Sequence, residues 1–203
     1  ALGIVAGGRI GYALFYGAGS LWDDPLRVFR LWEGGMAFHG GFLGVVIAMW
    51  LFSRHQKIAF GALVDFIAPL APVGLALGRI GNFINQELWG RPAEVPWAMV
   101  FPGDPLGLAR HPSQLYQFAM EGVLLFFVLF WYTRSPRPQW SAAGLFLLGY
   151  GLFRSFAEFF REPDAHIGFD ALGWMTRGQL LSLPMIAIGA AIMIWAYRRD
   201  AKK

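Results

Sequence analysis

Six apolar blocks, at about 1 to 19, 36 to 52, 60 to 83, 113 to 132, 142 to 160 and 179 to 197, decide what this chain can fold into. A helix needs about 20 apolar residues to cross the hydrocarbon core of a bilayer. In lipid the backbone polar groups must be satisfied within the segment, which favours helices. The chain is 56% hydrophobic and only 15% charged, against about a quarter charged in soluble domains. The expected fold is therefore all-α: a polytopic helical membrane protein, one integral membrane domain over 1–203, with six transmembrane helices. The chain holds no cysteine, so no disulfide, thiolate nucleophile or thiolate metal site can come from it. It opens at Ala1 inside an apolar stretch with neither a charged leader nor a cleavage site, and a further segment is expected upstream.

The links between blocks alternate in charge. Those after the second, fourth and sixth blocks carry Arg54, Lys57, Arg134, Arg137, Arg198, Arg199, Lys202 and Lys203 against Asp200 alone, which assigns them to the cytoplasm. The other links mix Asp23, Asp24, Arg27, Arg30, Glu33, Glu87, Arg91, Glu94, Asp104, Arg110, Arg161, Glu162, Asp164, Asp170 and Arg177 and face outward. The net charge of +4 thus reports topology and calls for no nucleic-acid partner. The C-terminus is expected in the cytoplasm, and one additional upstream span would put the N-terminus outside. Aromatic residues such as Trp22, Trp32, Trp131, Tyr132, Trp174 and Trp195 collect near block ends, where headgroups favour them. The stretch 86–112, rich in Pro and Gly, is expected as an ordered outer loop or small cap.

Setting the link residues aside leaves Arg9, Arg79 and Arg154 with Asp65, Glu121 and Glu158 inside spans, where charge is costly and usually functional. Three structural ion pairs would account for them equally in number. The fifth block argues for more: Tyr150, Arg154, Glu158 and Arg161 fall within about an 80° arc at 100° per residue, opposite Phe153, Phe156, Phe159 and Phe160. Arg four residues before Glu is the weaker order for an isolated helix, so an external reason, such as a phosphate between arginines, suits the pattern better.

The third block runs out through Gly78-Arg79-Ile80-Gly81-Asn82-Phe83-Ile84-Asn85-Gln86-Glu87 to Gly90, with Arg79, Asn82 and Gln86 expected on one helical face. The second begins Gly34-Gly35-Met36-Ala37-Phe38-His39-Gly40-Gly41, which sets an imidazole at a span terminus among glycines. A lone histidine there is more often a structural donor than a base. Orientation brings His39, Arg79, Asn82, Glu87, Arg154 and Glu158 to outward-facing ends of different spans. Guanidinium groups that hold an anion beside an imidazole that moves a proton suit a lipid phosphate ester.

These runs resemble the prolipoprotein diacylglyceryl transferases. The resemblance rests on G-R-I-G-N-F-I-N-Q-E-L-W-G at 78–90, G-G-R-I-G-Y at 7–12, G-G-M-A-F-H-G-G at 34–41, H-P-S-Q-L-Y at 111–116 and R-S-F-A-E-F-F-R-E-P-D at 154–164. It spans nearly the whole chain. It implies seven spans in the full-length protein, the first absent here together with a functional tyrosine. It further implies residence in the bacterial cytoplasmic (inner) membrane with the active site toward the periplasmic face.

The implied activity moves an sn-1,2-diacylglyceryl group from phosphatidylglycerol to the lipobox cysteine thiol of a preprolipoprotein signal peptide, releasing glycerol phosphate. The lipid bilayer, phosphatidylglycerol and the signal peptide are then the partners, and neither cofactor nor metal is expected. Position by position, His39, Arg79, Asn82, Glu87, Gly90, Tyr150, Arg154, Glu158 and Arg161 carry over as functional residues. His39, Arg79, Glu87, Arg154 and Glu158 are the expected catalytic set. Arg79, Asn82, Gly90, Tyr150, Arg154 and Arg161 are the expected substrate-binding set. A flippase or transporter would need a polar path to both faces, where the cytoplasmic half offers chiefly Asp65. A scaffold of ion pairs would show no turnover. G-x-S-x-G and H-E-x-x-H motifs are absent, so serine and zinc hydrolase readings lack their chemistry.

Overall fold

A computed structural model describes residues 2–15, 30, 32, 34–162, 169–171 and 175–202. Asp23, Asp24, Arg27, Glu33, Asp164, Trp22 and Trp174 lie outside the described residues, as do the side chain of Asp170 and the end of the fifth motif. The chain divides into two compact units, residues 1–63 and 64–203.

In the first unit, α1 (Leu2–Phe15) packs against α2 (Phe38–His55). Small residues at helical spacing let the backbones approach: a Cβ added to Gly3 would stand 2.6 Å from the Gly44 carbonyl oxygen, and one on Gly11 2.8 Å from the Gly40 Cα. The glycines around His39 therefore serve helix packing in part, where the sequence suggested empty space beside the imidazole. Gly34 and Gly35 turn the chain into α2 with φ of 72° and 81°, a left-handed conformation that glycine adopts without strain. Arg9, 4% exposed, donates to the carbonyls of Gly34, Gly35 and Arg30. Backbone carbonyls thus help to satisfy one of the buried cations.

The second unit takes in the second half of α3 (Phe60–Ile67), then α4 (Ala71–Ile84), α5 (Ser113–Tyr132), α6 (Ser141–Ala157) and α7 (Arg177–Asp200). α3 and α4 form a pair bent by 42°. Pro72 sits in the first turn of α4, where its missing N–H costs no helical bond but prevents continuation from α3. Asp65 on α3 accepts from the backbone N–H groups of Trp140 and Ala143 (2.9 Å to Ala143), so this acid caps α6. α5 widens to π-helical hydrogen bonding over Phe118–Leu124. α7 starts with a capping box in which Thr176 and Gln179 satisfy each other's backbone.

A described helix falls in each of the six apolar blocks, the third as the bent pair. Among the described residues two helices, Ser113–Tyr132 and Arg177–Asp200, are long and apolar enough to cross a membrane, or three if the bent pair is one span. α1 and α6 are shorter apolar helices. Large apolar side chains point outward along them, including Phe66 at 72%, Leu77 at 68% and Leu181 at 62% exposure. Such surface suits lipid and not water. Two short ribbons depart from all-α: β1 (Met99–Val100) pairs antiparallel with β2 (Ala109–Arg110), and β3 (Phe169–Ala171) with β4 (Met175–Thr176). They supply backbone partners to link segments that cannot form helix.

Gly44→Val places two methyl groups where the α1 backbone passes. We expect it to destabilise the protein by about 1–3 kcal/mol, read as a lower midpoint in denaturant titration of the purified protein in mixed micelles.

Candidate functional site

The functional residues of the second unit converge on one carboxylate. Arg79 on α4 donates through Nη2 to Glu121 Oε2 at 3.2 Å, and Arg154 Nη1 on α6 lies 3.8 Å from Glu121 Oε1. Glu121 is fully buried. It falls within the π-helical stretch of α5, and such stretches recur at functional sites. Two guanidiniums sharing one buried carboxylate are held close together while keeping some net positive charge.

Arg154 is gripped from its other end by Glu158, the C-cap of α6, with Nη2 to Oε1 at 2.5 Å. The same Oε1 receives Arg161 Nη1 at 3.2 Å. Glu158 Oε2 accepts from Thr176 Oγ1 at 2.7 Å, and Thr176 Oγ1 in turn accepts from the Gln179 N–H at 3.2 Å. One hydroxyl both caps α7 and orients the carboxylate that orients Arg154. This explains the unfavourable Arg-then-Glu order along α6: a neighbouring helix fixes Glu158, so helix propensity does not decide it. Tyr150 lies within the electrostatic reach of Glu121, Arg154 and Arg79.

A second arm runs outward along α4. Arg79 Nη1 meets Asn82 Oδ1 at 3.5 Å, and Asn82 Nδ2 donates to Glu87 Oε1 at 2.8 Å. Gln86 does not share this face as the sequence suggested, because α4 ends at Ile84 and Gln86 turns left-handed with φ of 57°. Its Oε1 instead accepts from the Gly103 N–H at 3.0 Å and ties down the following loop. That loop, 86–112, is pinned at Gly90, whose N–H donates to His111 O at 2.9 Å and whose backbone bridges Arg161. A Cβ at Gly90 would lie 2.5 Å from the Phe160 carbonyl oxygen, so glycine is required for the chain's own close approach.

Asp104 and Arg110 form a buried fork inside the loop, with Nε to Oδ2 at 2.7 Å and Nη2 to Oδ1 at 3.2 Å. Asp104 also accepts from the N–H groups of Leu106 and Leu108. The Arg110 hydrogen bond, then these backbone donors, hold the Asp104 carboxyl below its ordinary 3.8.

His39 belongs to the first unit, as the second residue of α2, with its side chain exposed. Of the expected residues, Arg79, Asn82, Glu87, Arg154, Glu158 and Arg161 share one network, Gly90 joins it through the Arg161 backbone, and Tyr150 stands within its electrostatic reach. Glu121, Thr176 and Gln179 were missing from that set. Glu121 stood out only as a charge inside a span, since a π turn leaves no mark in the apolar period. Thr176-x-x-Gln179 is a capping-box pattern ahead of an apolar run and was available to a reader looking for helix starts.

Apolar helices and an interior ion-pair network at their ends define a helical membrane protein with a built polar site. Residues 1–195 match the sequence family described as prolipoprotein diacylglyceryl transferase, and the chain belongs to that family. It is 63% identical over 201 residues to the phosphatidylglycerol–prolipoprotein diacylglyceryl transferase of Teredinibacter turnerae, covering 99% of this chain and 70% of the relative. Proteins of the same name from Azotobacter vinelandii (58% identity, 100% and 76% coverage) and Pseudomonas syringae pv. syringae (57%, 98% and 75%) are similarly alike.

A depressed folded-state pKa means that Asp104 contributes stability above its unfolded value and loses it as pH falls through the folded one. Acidification below about pH 4 is expected to loosen the 86–112 loop, read as increased proteolysis there by an acid protease. In Asp104→Asn the loop should be cut readily at neutral pH by trypsin, with no acid transition of its own.

Proposed function

We propose that this protein transfers the sn-1,2-diacylglyceryl group of phosphatidylglycerol to the cysteine thiol of a prolipoprotein signal peptide. Sulfur bonds to the glyceryl CH2 carbon, that carbon's bond to the phosphate oxygen breaks, and glycerol phosphate leaves with the bonding pair. The phosphate passes from one negative charge in the diester to two in the departing monoester. Stabilising that increase is the main electrostatic demand on the site.

The observation that carries the reading is the convergence of Arg79 and Arg154 on Glu121. The ion-paired cluster of Arg79, Arg154 and Arg161 with Glu121 and Glu158 has one more cation than anions, a deficit that a phosphodiester fills. Planar guanidiniums suit its paired oxygens. Tyr150 and Asn82 would fix the headgroup, and Glu158 and Arg161 would hold Arg154 in place. His39 is our candidate base for the thiol, which near its reference pKa of about 8.5 is mostly protonated at neutral pH. Glu87 would share that task or steady the loop, and Gly90 would keep the loop against the site.

We read the six helical runs as spans of one membrane domain in the bacterial cytoplasmic membrane. The Arg54–Lys57, Arg134–Arg137 and C-terminal basic links then lie inside, and the 86–112 cap and the site face outward. Asp65 argues against a transport path, since its oxygens are engaged by the start of α6. The cysteine-free sequence allows a direct topology test. Glu94→Cys should react with an impermeant maleimide on intact spheroplasts, whereas Lys57→Cys and Ser135→Cys should react only after permeabilisation; the reverse pattern would invert the orientation.

Full-length protein incubated with glyceryl-labelled phosphatidylglycerol should move label to a lipobox peptide bearing Cys and leave the Ser peptide unlabelled. Arg154→Lys should lower kcat by about 100-fold, because a point charge loses the planar fork. Full activity in that variant would remove the clamp from the mechanism.

A further inference from the structure

Several buried side-chain groups on α5 and α6 lack hydrogen-bond partners among the described residues. Gln114, Gln117 and Glu121 stand at i, i+3 and i+7 of α5, each at most 1% exposed. Gln114 Nε2 donates to the Glu87 carbonyl at 2.7 Å, which fixes the amide and leaves Oε1 a buried acceptor without a donor. Gln117 Nε2 is a buried donor without an acceptor, and Glu121 Oε1 and Arg154 Nη1, an ion pair at 3.8 Å, have no hydrogen-bond partner. α5 and α6 run side by side here. Tyr116 packs its ring 5.4 Å from that of Phe160 at one end, Glu121 meets Arg154 at the other, and Gln117 lies between these contacts. Buried polar groups are paired in more than about 90% of cases, because leaving one unpaired forfeits its hydration without return. A cluster of them marks a place that something polar completes.

The donor and acceptor pattern narrows what that is. A phosphate only accepts, so it serves Arg154 and Gln117 but leaves Gln114 Oε1 and Glu121 Oε1 without a donor. Hydroxyl groups donate and accept at once. We propose that Gln114, Gln117 and Glu121 form a hydroxyl-recognition site for the headgroup glycerol of phosphatidylglycerol, next to the arginines that take its phosphate. This rests on the function proposed above and adds to it the residues that select the lipid headgroup. Lipids whose headgroup lacks hydroxyls leave these amides unpaired and are rejected.

The test compares transfer from phosphatidylglycerol with transfer from phosphatidylpropanol, the same diester without the two headgroup hydroxyls. Full-length protein in nanodiscs is used with the Cys lipobox peptide as acceptor. Wild type is expected to favour phosphatidylglycerol in kcat/KM by about 10- to 100-fold. Gln117→Met conserves volume and removes the amide; it should cut that preference about tenfold through loss on phosphatidylglycerol, while the phosphatidylpropanol rate stays within about twofold. Gln114→Met should do the same and carries the test alone if Gln117→Met does not fold. Equal losses on both lipids, or an unchanged ratio in a folded variant, would mean that water or packing completes these groups, and the site would fall. A wild type that discriminates between the lipids by less than twofold would also overturn it. A wild type that transfers nothing from phosphatidylglycerol would instead bring down the transferase reading, and this site with it.

Discussion

The shared carboxylate of Glu121 is the interaction on which the rest of the site depends. Two guanidiniums from different helices would repel one another in a medium of low dielectric constant, and either alone would be costly to bury. A glutamate between them converts that repulsion into a bridge across α4, α5 and α6. The bridge is uneven, since Arg79 makes a hydrogen bond and Arg154 stands off at 3.8 Å. A site with every charge satisfied would have no affinity left for an anion. One slack contact leaves Arg154 a free donor without removing its counter-charge.

Precision in that arrangement comes from outside the bridge. Glu158 is fixed by Thr176, whose hydroxyl is itself fixed by the first turn of α7. Arg154 therefore takes its direction from the start of a helix more than twenty positions later in the chain. The 86–112 loop is held in the same manner, by backbone contacts at Gly90, Arg91, His111 and Phe160. These anchors lie outside the ion-pair bridge itself, which is how a preorganised electrostatic site keeps its geometry.

Much of this was legible in the residues, and the part that was not has definite causes. The apolar blocks located the described helices, because apolar runs of this kind favour helix in a bilayer. The 100° step put Tyr150, Arg154, Glu158 and Arg161 on one face, and three of them do share a carboxylate network. Gln86 was misplaced because nothing in Ile84-Asn85-Gln86 announces a helix stop; the left-handed turn is set by the tether to Gly103. Glu121 was visible as a buried charge, but its partners on other helices follow from tertiary packing alone. Asp65 drew attention for the same reason and proved to be a helix cap. A costly residue in a span signals a partner without saying whether that partner is substrate or backbone.

Glycine shows the same ambiguity resolved by geometry. Gly40 is read from sequence as room beside His39, yet α1 occupies that room. Gly90 stands in the substrate-binding set that the resemblance implies, and the backbones of Phe160 and His111 pack against it. Neither finding removes the residue from function, because the space a glycine gives to the backbone decides where the neighbouring side chains stand. At Gly90 the backbone it admits is that of Phe160 and Arg161, the segment that carries the Glu158 and Arg161 contacts toward Arg154. A side chain there would displace the end of α6 and, through Glu158, the guanidinium that faces the open position on Glu121. The small residue and the charged one are thus parts of a single positioning device, and the requirement for glycine is a requirement on Arg154.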